Sequence, residues 1–205
     1  MKQESLEKWI QKARASWWED GLTEILSGIG LTLIAISGIL KEHTSGRAAD
    51  FWGFAWVVIL VGFSVGGKFL LQWIKRRWIW PRAGYAHPGS QRFDVRVVPE
   101  LLLILLVFIA LIVWEPPVLT GLLSGLFIFL VLFRIYRYSR IKRFLGYGIL
   151  ALIGGFILAF VRLSFGDALM SVLGLVGVAQ LWGGISQFRR FIKMLRQWEA
   201  QAHES

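Results

Sequence analysis

Six apolar runs, separated by charged or polar connections, make up most of this 205-residue chain. A helix needs about 20 apolar residues to cross the hydrocarbon core of a bilayer, and the runs are close to that length. The pattern therefore predicts an all-α polytopic membrane protein, a bundle of about six transmembrane helices. We place the spans at residues 21–40, 51–74, 98–114, 118–133, 144–161 and 168–188.

The third and fourth runs are separated only by Glu115-Pro116-Pro117. Proline breaks a helix because it lacks the amide donor and clashes with the preceding turn. The two runs either cross the membrane one after the other or form a re-entrant hairpin that does not cross. Irregular backbone at membrane depth needs protein or water around it, which favours two crossings. Both termini lie on the same side of the membrane in either case.

Residues 1–18 form a separate N-terminal segment. Within it, Leu6, Trp9, Ala13 and Trp17 recur at helical spacing, while charged residues occupy other positions of the turn. This pattern predicts an amphipathic helix. Beside a membrane span such a helix favours the interface, with its Trp side chains at headgroup depth. Packing against a soluble partner is the alternative.

The composition supports a membrane location, since 56% of the residues are hydrophobic and 18% are charged. Of the 23 Lys and Arg residues, most lie in four segments. These are the N-terminal segment, the loop 75–97, the stretch from Arg134 to Arg143, and the tail 194–205 with the few residues before it. Cytoplasmic loops carry the Lys and Arg excess, so we predict a cell inner membrane protein with both termini in the cytoplasm.

The net charge of +10 does not indicate nucleic-acid binding. The basic residues lie beside the ends of apolar runs, where anionic lipid headgroups attract them. We therefore expect the lipid bilayer, and no nucleic acid, as the partner of these charges.

Catalytic and metal-binding patterns are absent from the sequence. There is no cysteine, so disulfides, zinc-thiolate sites, iron–sulfur clusters and thiol nucleophiles are excluded. The three histidines are not at ligand spacing, and no nucleophile elbow, phosphate loop or dinucleotide fingerprint occurs. We expect no catalytic residue, no cofactor and no metal, and a protein that is not an enzyme.

Glu24, Lys68 and Glu100 are ionisable residues near the cytoplasmic ends of the first three spans. Ionisable residues inside a membrane are the default functional candidates. One interpretation is a proton or ion site that faces the cytoplasm. The other is a structural ion pair, or a lysine whose ammonium group reaches the interface.

Several further residues predict contacts between or beyond the helices. Glu19 and Asp20 precede the first span and can cap it, and Gln180 can form a hydrogen bond across helices. Small residues at spacings of four predict close helix packing, within the chain or in a homo-oligomer. They are Gly62 and Gly66, Gly121 and Gly125, Ala151, Gly155 and Ala159, and Ala179 and Gly183. The arginines from Arg134 to Arg143 lie at steps of three, which predicts a helix extending beyond the fourth span with its arginines towards headgroups.

The loop after the second span contains Trp80-Pro81-Arg82-Ala83-Gly84-Tyr85. With Arg76-Arg77 before it, this segment resembles a group of uncharacterised prokaryotic multi-pass membrane proteins. That group has an aromatic-Pro-Arg-x-Gly-Tyr sequence after its second helix. The entries to the first and fifth spans, residues 20–25 and 143–147, are also similar. The resemblance implies a multi-pass membrane fold and brings no activity with it.

We therefore predict a non-catalytic membrane component that docks a cytoplasmic partner or an anionic lipid. Its docking loop consists of Trp80, Pro81, Arg82, Gly84 and Tyr85. The alternative is a small transporter or channel that uses the charges of Glu24, Lys68 and Glu100.

Overall fold

The computed structural model describes residues 20–79, 109, 119–161 and 163–204, and within these ranges every regular element is a helix. The predicted N-terminal helix, the third span at 98–114 and the loop 80–97 lie outside the described residues, apart from Ile109. The helices are α1 (Leu22–His43), α2 (Arg47–Val61), α3 (Gly67–Ile74), α4 (Thr120–Ser139), α5 (Lys142–Val161) and α6 (Phe165–Glu204). This confirms the all-helical class.

Four of the helices are long and apolar enough to cross a membrane, judged by length and composition. They are α1, α4, α5 and the part of α6 from Phe165 to Met194. They correspond to the first, fourth, fifth and sixth predicted spans. Three of them continue past the predicted ends, since α1 reaches His43, α4 reaches Ser139 and α6 runs on through the predicted tail to Glu204.

The second predicted span is helical but is not one regular α-helix. A π-helical segment, Gly62–Gly66, separates α2 from α3, and a second one, Lys75–Ile79, follows α3. In the first segment the amide of Gly67 donates to the carbonyl of Gly62, the i→i−5 bond of a π turn. The path from Arg47 to Ile74 is about 40 Å long at helical rise, enough to cross a bilayer.

Helices α1 and α6 pack antiparallel at very short distance. A Cβ atom at Gly28 would lie 2.8 Å from the carbonyl oxygen of Gly177, and one at Gly184 would lie 2.7 Å from the amide nitrogen of Ile25. Residues without a Cβ are required at these positions because backbone faces backbone. The first and last helices of the described chain therefore form one unit.

Helices α4 and α5 form the other close pair. A Cβ atom at Gly155 would lie 2.5 Å from the carbonyl oxygen of Gly121, and one at Gly125 would lie 2.6 Å from that of Ala151. These are the small residues at spacings of four that the sequence singled out. Their packing partners lie within the chain. Gly62 and Gly66 differ, since a Cβ at either would meet nothing within 4 Å.

Apolar side chains join the two pairs. Ile128 and Leu132 of α4, Phe144 and Ala151 of α5, and Val172 of α6 belong to one buried cluster. The middle of α6 contacts the start of α1 at Gly184 and the start of α5 at Gly183. The start of α1 therefore lies at the same end of the bundle as the start of α5 and the end of α4.

Candidate functional site

One end of the bundle buries a group of charged side chains. We call this end of the bundle the basic end; Asp20, Lys75, Arg143 and Gly184 lie there. The buried group, which we call the ionic cluster, consists of Asp20, Glu24, Lys75, Arg143 and Tyr147. These side chains come from the start of α1, the segment after α3, and the start of α5.

Asp20 joins the start of α1 to the segment after α3. The Lys75 Nζ atom lies 2.8 Å from Asp20 Oδ2, and the two side chains are 1% and 3% exposed. Asp20 Oδ1 accepts a hydrogen bond of 3.0 Å from the backbone amide of Leu22, the first residue of α1. This bond satisfies an amide of the first turn of α1, which is the role predicted for Asp20, while Gly21 holds the N-cap position itself. The ion pair is an additional role.

Glu24 joins α1 to α5 and is fully buried, with 0% exposure. The Arg143 Nε atom lies 3.2 Å from Glu24 Oε1. The Tyr147 hydroxyl donates a hydrogen bond of 3.2 Å to Glu24 Oε2. Arg143 and Tyr147 are four residues apart and so share a face of α5, which is why both reach one carboxylate.

The turn between α4 and α5 directs Arg143 into the bundle. Helix α4 ends at Ser139, and Arg140 takes the left-handed conformation with φ of 61°. The amide of Arg140 donates to the Tyr136 carbonyl, and the amide of Ile141 donates to the Ser139 hydroxyl. The prediction that Arg143 extends α4 towards headgroups is therefore wrong. The helix stops, and the new one turns Arg143 towards Glu24.

The Asp20–Lys75 pair lies outside the four candidate spans. Burial raises the pKa of the Asp20 carboxyl above its usual range, while the Lys75 ammonium opposes that shift. Burial lowers the pKa of the Lys75 ammonium, and Asp20 opposes that shift in turn. Each charge is thus maintained by the other, and removing one favours the neutral form of its partner.

A neutral polar contact lies further inside the bundle. The Ser27 hydroxyl donates a hydrogen bond of 2.7 Å to the Gln180 side-chain oxygen, and Gln180 is buried. The prediction that Gln180 bonds across helices is confirmed, and the helix it reaches is α1.

The ionic cluster includes one of the three charges that the sequence proposed. Glu24 lies at its centre. Lys68 lies on α3, with its side chain outside the described part, and Glu100 lies outside the described residues altogether. Sequence analysis did not identify Lys75, Arg143 and Tyr147 as site residues. The spacing of Arg143 and Tyr147 along one helix could be read from the sequence. Their contacts with Glu24, and the contact of Lys75 with Asp20, depend on how the helices pack.

The chemistry of the ionic cluster is balanced. Two carboxylates face one ammonium and one guanidinium group, so the charges cancel inside the bundle. Within the described residues, no group of three or more His, Cys, Asp or Glu is placed to hold a metal ion. The arrangement can therefore fix three chain segments to one another. It can also hold a proton at Glu24 if the guanidinium moves away.

The surface of the basic end is cationic. Exposed Lys and Arg side chains occur on the segment after α3, on the α4–α5 turn, and on α6 beyond Gly184. They include Arg77, Arg137, Arg140, Lys142, Arg189, Arg190 and Lys193. Among the side chains described at this end, Asp and Glu occur only as the buried Asp20 and Glu24.

The opposite end of the bundle carries both signs of charge. Lys41, Glu42, Arg47 and Asp50 are all exposed there. His43 Nε2 also lies 3.3 Å from an oxygen of Asp167. The two ends of the bundle therefore differ in the sign of their exposed charges.

Comparisons with protein-family models, with curated proteins and with solved structures find no match to this chain. The resemblance to prokaryotic membrane proteins with an aromatic-Pro-Arg-x-Gly-Tyr loop therefore stays a prediction.

Proposed function

We propose that this chain is a multi-pass protein of the cell inner membrane, with about six crossings and both termini in the cytoplasm. In this proposal it is a non-catalytic component that docks a cytoplasmic partner or an anionic lipid at its basic end. Four apolar helices support the membrane location. The helical path from Arg47 to Ile74 and the predicted span 98–114 supply the other two crossings.

One observation carries the docking proposal, namely the separation of charge at the basic end. Both described acidic side chains are buried and paired inside the ionic cluster, whereas the exposed charged side chains are cationic. The basic end thus presents positive charge outward, and its described acidic side chains are neutralised in the interior. Cytoplasmic ends of membrane proteins carry this excess of Lys and Arg, which supports placing the basic end in the cytoplasm.

The ionic cluster holds the segments of the basic end together, which we call its bracing role. Asp20–Lys75 and Glu24–Arg143 tie α1 to the segment after α3 and to α5. Those two partner segments also carry Arg77 and Lys142, which are exposed. The predicted docking loop begins at Trp80, five residues after Lys75 in the sequence.

The alternative, a small transporter or channel, has one supporting observation. Glu24 is a fully buried carboxylate on a helix apolar enough to cross a membrane. It is the weaker candidate because Glu24 is already ion-paired with Arg143 and accepts a hydrogen bond from Tyr147. A carrier site needs groups that are released during the cycle.

We expect Arg82→Ala and Tyr85→Ala each to reduce recovery of a co-purifying cytoplasmic protein or anionic lipid severalfold, because these residues form the docking loop. The measurement is affinity purification from native membranes in mild detergent, with protein and lipid quantified by mass spectrometry. Arg47→Ala is the matched control, since it removes an exposed arginine at the opposite end. Equal recovery of every partner with all three variants would show that the loop does not dock anything.

A further inference from the structure

The outward faces of two helices change from apolar to cationic as they reach the basic end. Trp73 is 61% exposed, and Arg77 is exposed four residues later. On α6, Trp182 is 80% exposed and Ile185 is 41% exposed. Arg189, which is also exposed, follows seven residues after Trp182 and four residues after Ile185. Residues at these spacings share one face of a helix. The same outward face therefore presents large apolar side chains first and guanidinium groups next.

This order matches the depth profile of a phospholipid leaflet. Acyl chains meet apolar side chains, Trp favours the interface, and phosphate groups meet Lys and Arg. The cations also come from separate segments at one level of the bundle, because the ionic cluster and the Gly21–Gly184 contact bring those segments together. They surround the end of the bundle from several helices.

A protein partner would be recognised differently. Protein interfaces have a buried core of apolar and aromatic side chains inside a polar rim. Here the exposed apolar side chains lie along the length of the helices and the cations lie past them. The charge complementarity is therefore to an anionic surface that surrounds the bundle.

We propose that the exposed Lys and Arg of the basic end bind the phosphate groups of anionic phospholipids and select those lipids from the surrounding bilayer. This proposal rests on the proposed function and names the anionic lipid as its docking partner.

The test uses the full chain reconstituted in vesicles of phosphatidylcholine with a minor fraction of phosphatidylglycerol. Spin-labelled lipids of each headgroup report the relative association of the two lipids with the protein. We expect phosphatidylglycerol to associate several times more strongly than phosphatidylcholine. High salt is expected to weaken this preference, because exposed charges are screened within about 10 Å at 0.1 M ionic strength.

Arg190→Gln with Lys193→Gln removes two exposed cations from the basic end, and Lys41→Gln with Arg47→Gln removes two from the opposite end. The first pair is expected to lower the preference by up to about fivefold, because each cation near an anionic surface adds roughly 1 kcal/mol of attraction. The second pair is expected to leave it unchanged, because the exposed acids Glu42 and Asp50 lie at the same end as Lys41 and Arg47. A preference that is absent, or equal in both pairs, would overturn the lipid proposal.

The same variants separate this proposal from the proposed function. If the lipid preference is absent but Arg190→Gln with Lys193→Gln loses a co-purifying cytoplasmic protein, the lipid proposal fails and docking at the basic end stands. If neither lipid nor protein association changes, both fail.

Discussion

Replacing Arg143 with methionine is expected to destabilise the helix bundle by roughly 3–5 kcal/mol, the cost of leaving one partner of a buried ion pair alone. Glu24 is fully buried, and its Oε1 atom lies 3.2 Å from the Arg143 Nε atom. The figure is an upper limit, because Glu24 can take up a proton instead of remaining charged. Unfolding by sodium dodecyl sulfate in mixed micelles, followed by circular dichroism, measures the change.

Two variants serve as controls for this prediction. Lys142→Met removes an exposed cation one residue earlier and is expected to change stability by less than about 0.5 kcal/mol. Glu24→Gln combined with Arg143→Met removes both charges and is expected to recover most of the loss, since replacing a whole buried pair is often neutral. Equal stability of Arg143→Met and Lys142→Met would contradict the bracing role of the ionic cluster.

Substitution of Glu24 distinguishes the bracing role of the ionic cluster from a carrier function. If Glu24 carried a proton or ion, Glu24→Gln would abolish flux in proteoliposomes while leaving the fold intact. If Glu24 has only the bracing role, Glu24→Gln lowers the stability of the bundle, and no flux depends on this residue.

Gly155→Ala is expected to destabilise the α4–α5 pair by roughly 1–3 kcal/mol, the usual cost of overpacking. The added Cβ would lie 2.5 Å from the Gly121 carbonyl oxygen and 2.7 Å from the Gly125 Cα atom. Both are backbone atoms, so the helices themselves would have to separate. The same detergent unfolding measures this change.

Gly146→Ala is the matched control, because it makes the same substitution on the same helix. A Cβ at Gly146 would meet nothing within 4 Å. This variant is expected to be neutral or to stabilise by up to about 1 kcal/mol, since alanine favours a helix over glycine. If the two variants behave alike, the close α4–α5 packing is wrong.

The helices could be predicted because each depends on its own residues. Apolar runs of sufficient length form α1, α4, α5 and α6, and a packing role for Gly121, Gly125, Ala151 and Gly155 followed from their spacing. The π segments on either side of α3 were not predicted. A π turn differs from an α turn by one residue, and neither residue 62 nor residue 75 carries a pattern that distinguishes the two.

The ionic cluster was predicted only in part, for a different physical reason. Glu24 stood out as a carboxylate in an apolar run. Arg143 looked like any other arginine at the end of a span, because nothing local reveals that the chain turns at Arg140. Its partner lies 119 positions away on α1, and only the packing of α5 against α1 shows that the two meet. The composition of one helix does not contain that information.

The central claim is that the basic end faces the cytoplasm and the mixed-charge end faces out. The chain has no cysteine, so single cysteines can be placed without a prior substitution. Lys142→Cys and Arg190→Cys mark the basic end, and Ser45→Cys and Arg47→Cys mark the opposite end, all at exposed positions.

The deciding measurement is labelling of these four variants in intact cells with a membrane-impermeant maleimide. The account predicts that the cysteines at positions 45 and 47 react at once, and that those at 142 and 190 react only after the membrane is opened. Reaction at positions 142 and 190 in intact cells, or at all four positions together, would contradict it.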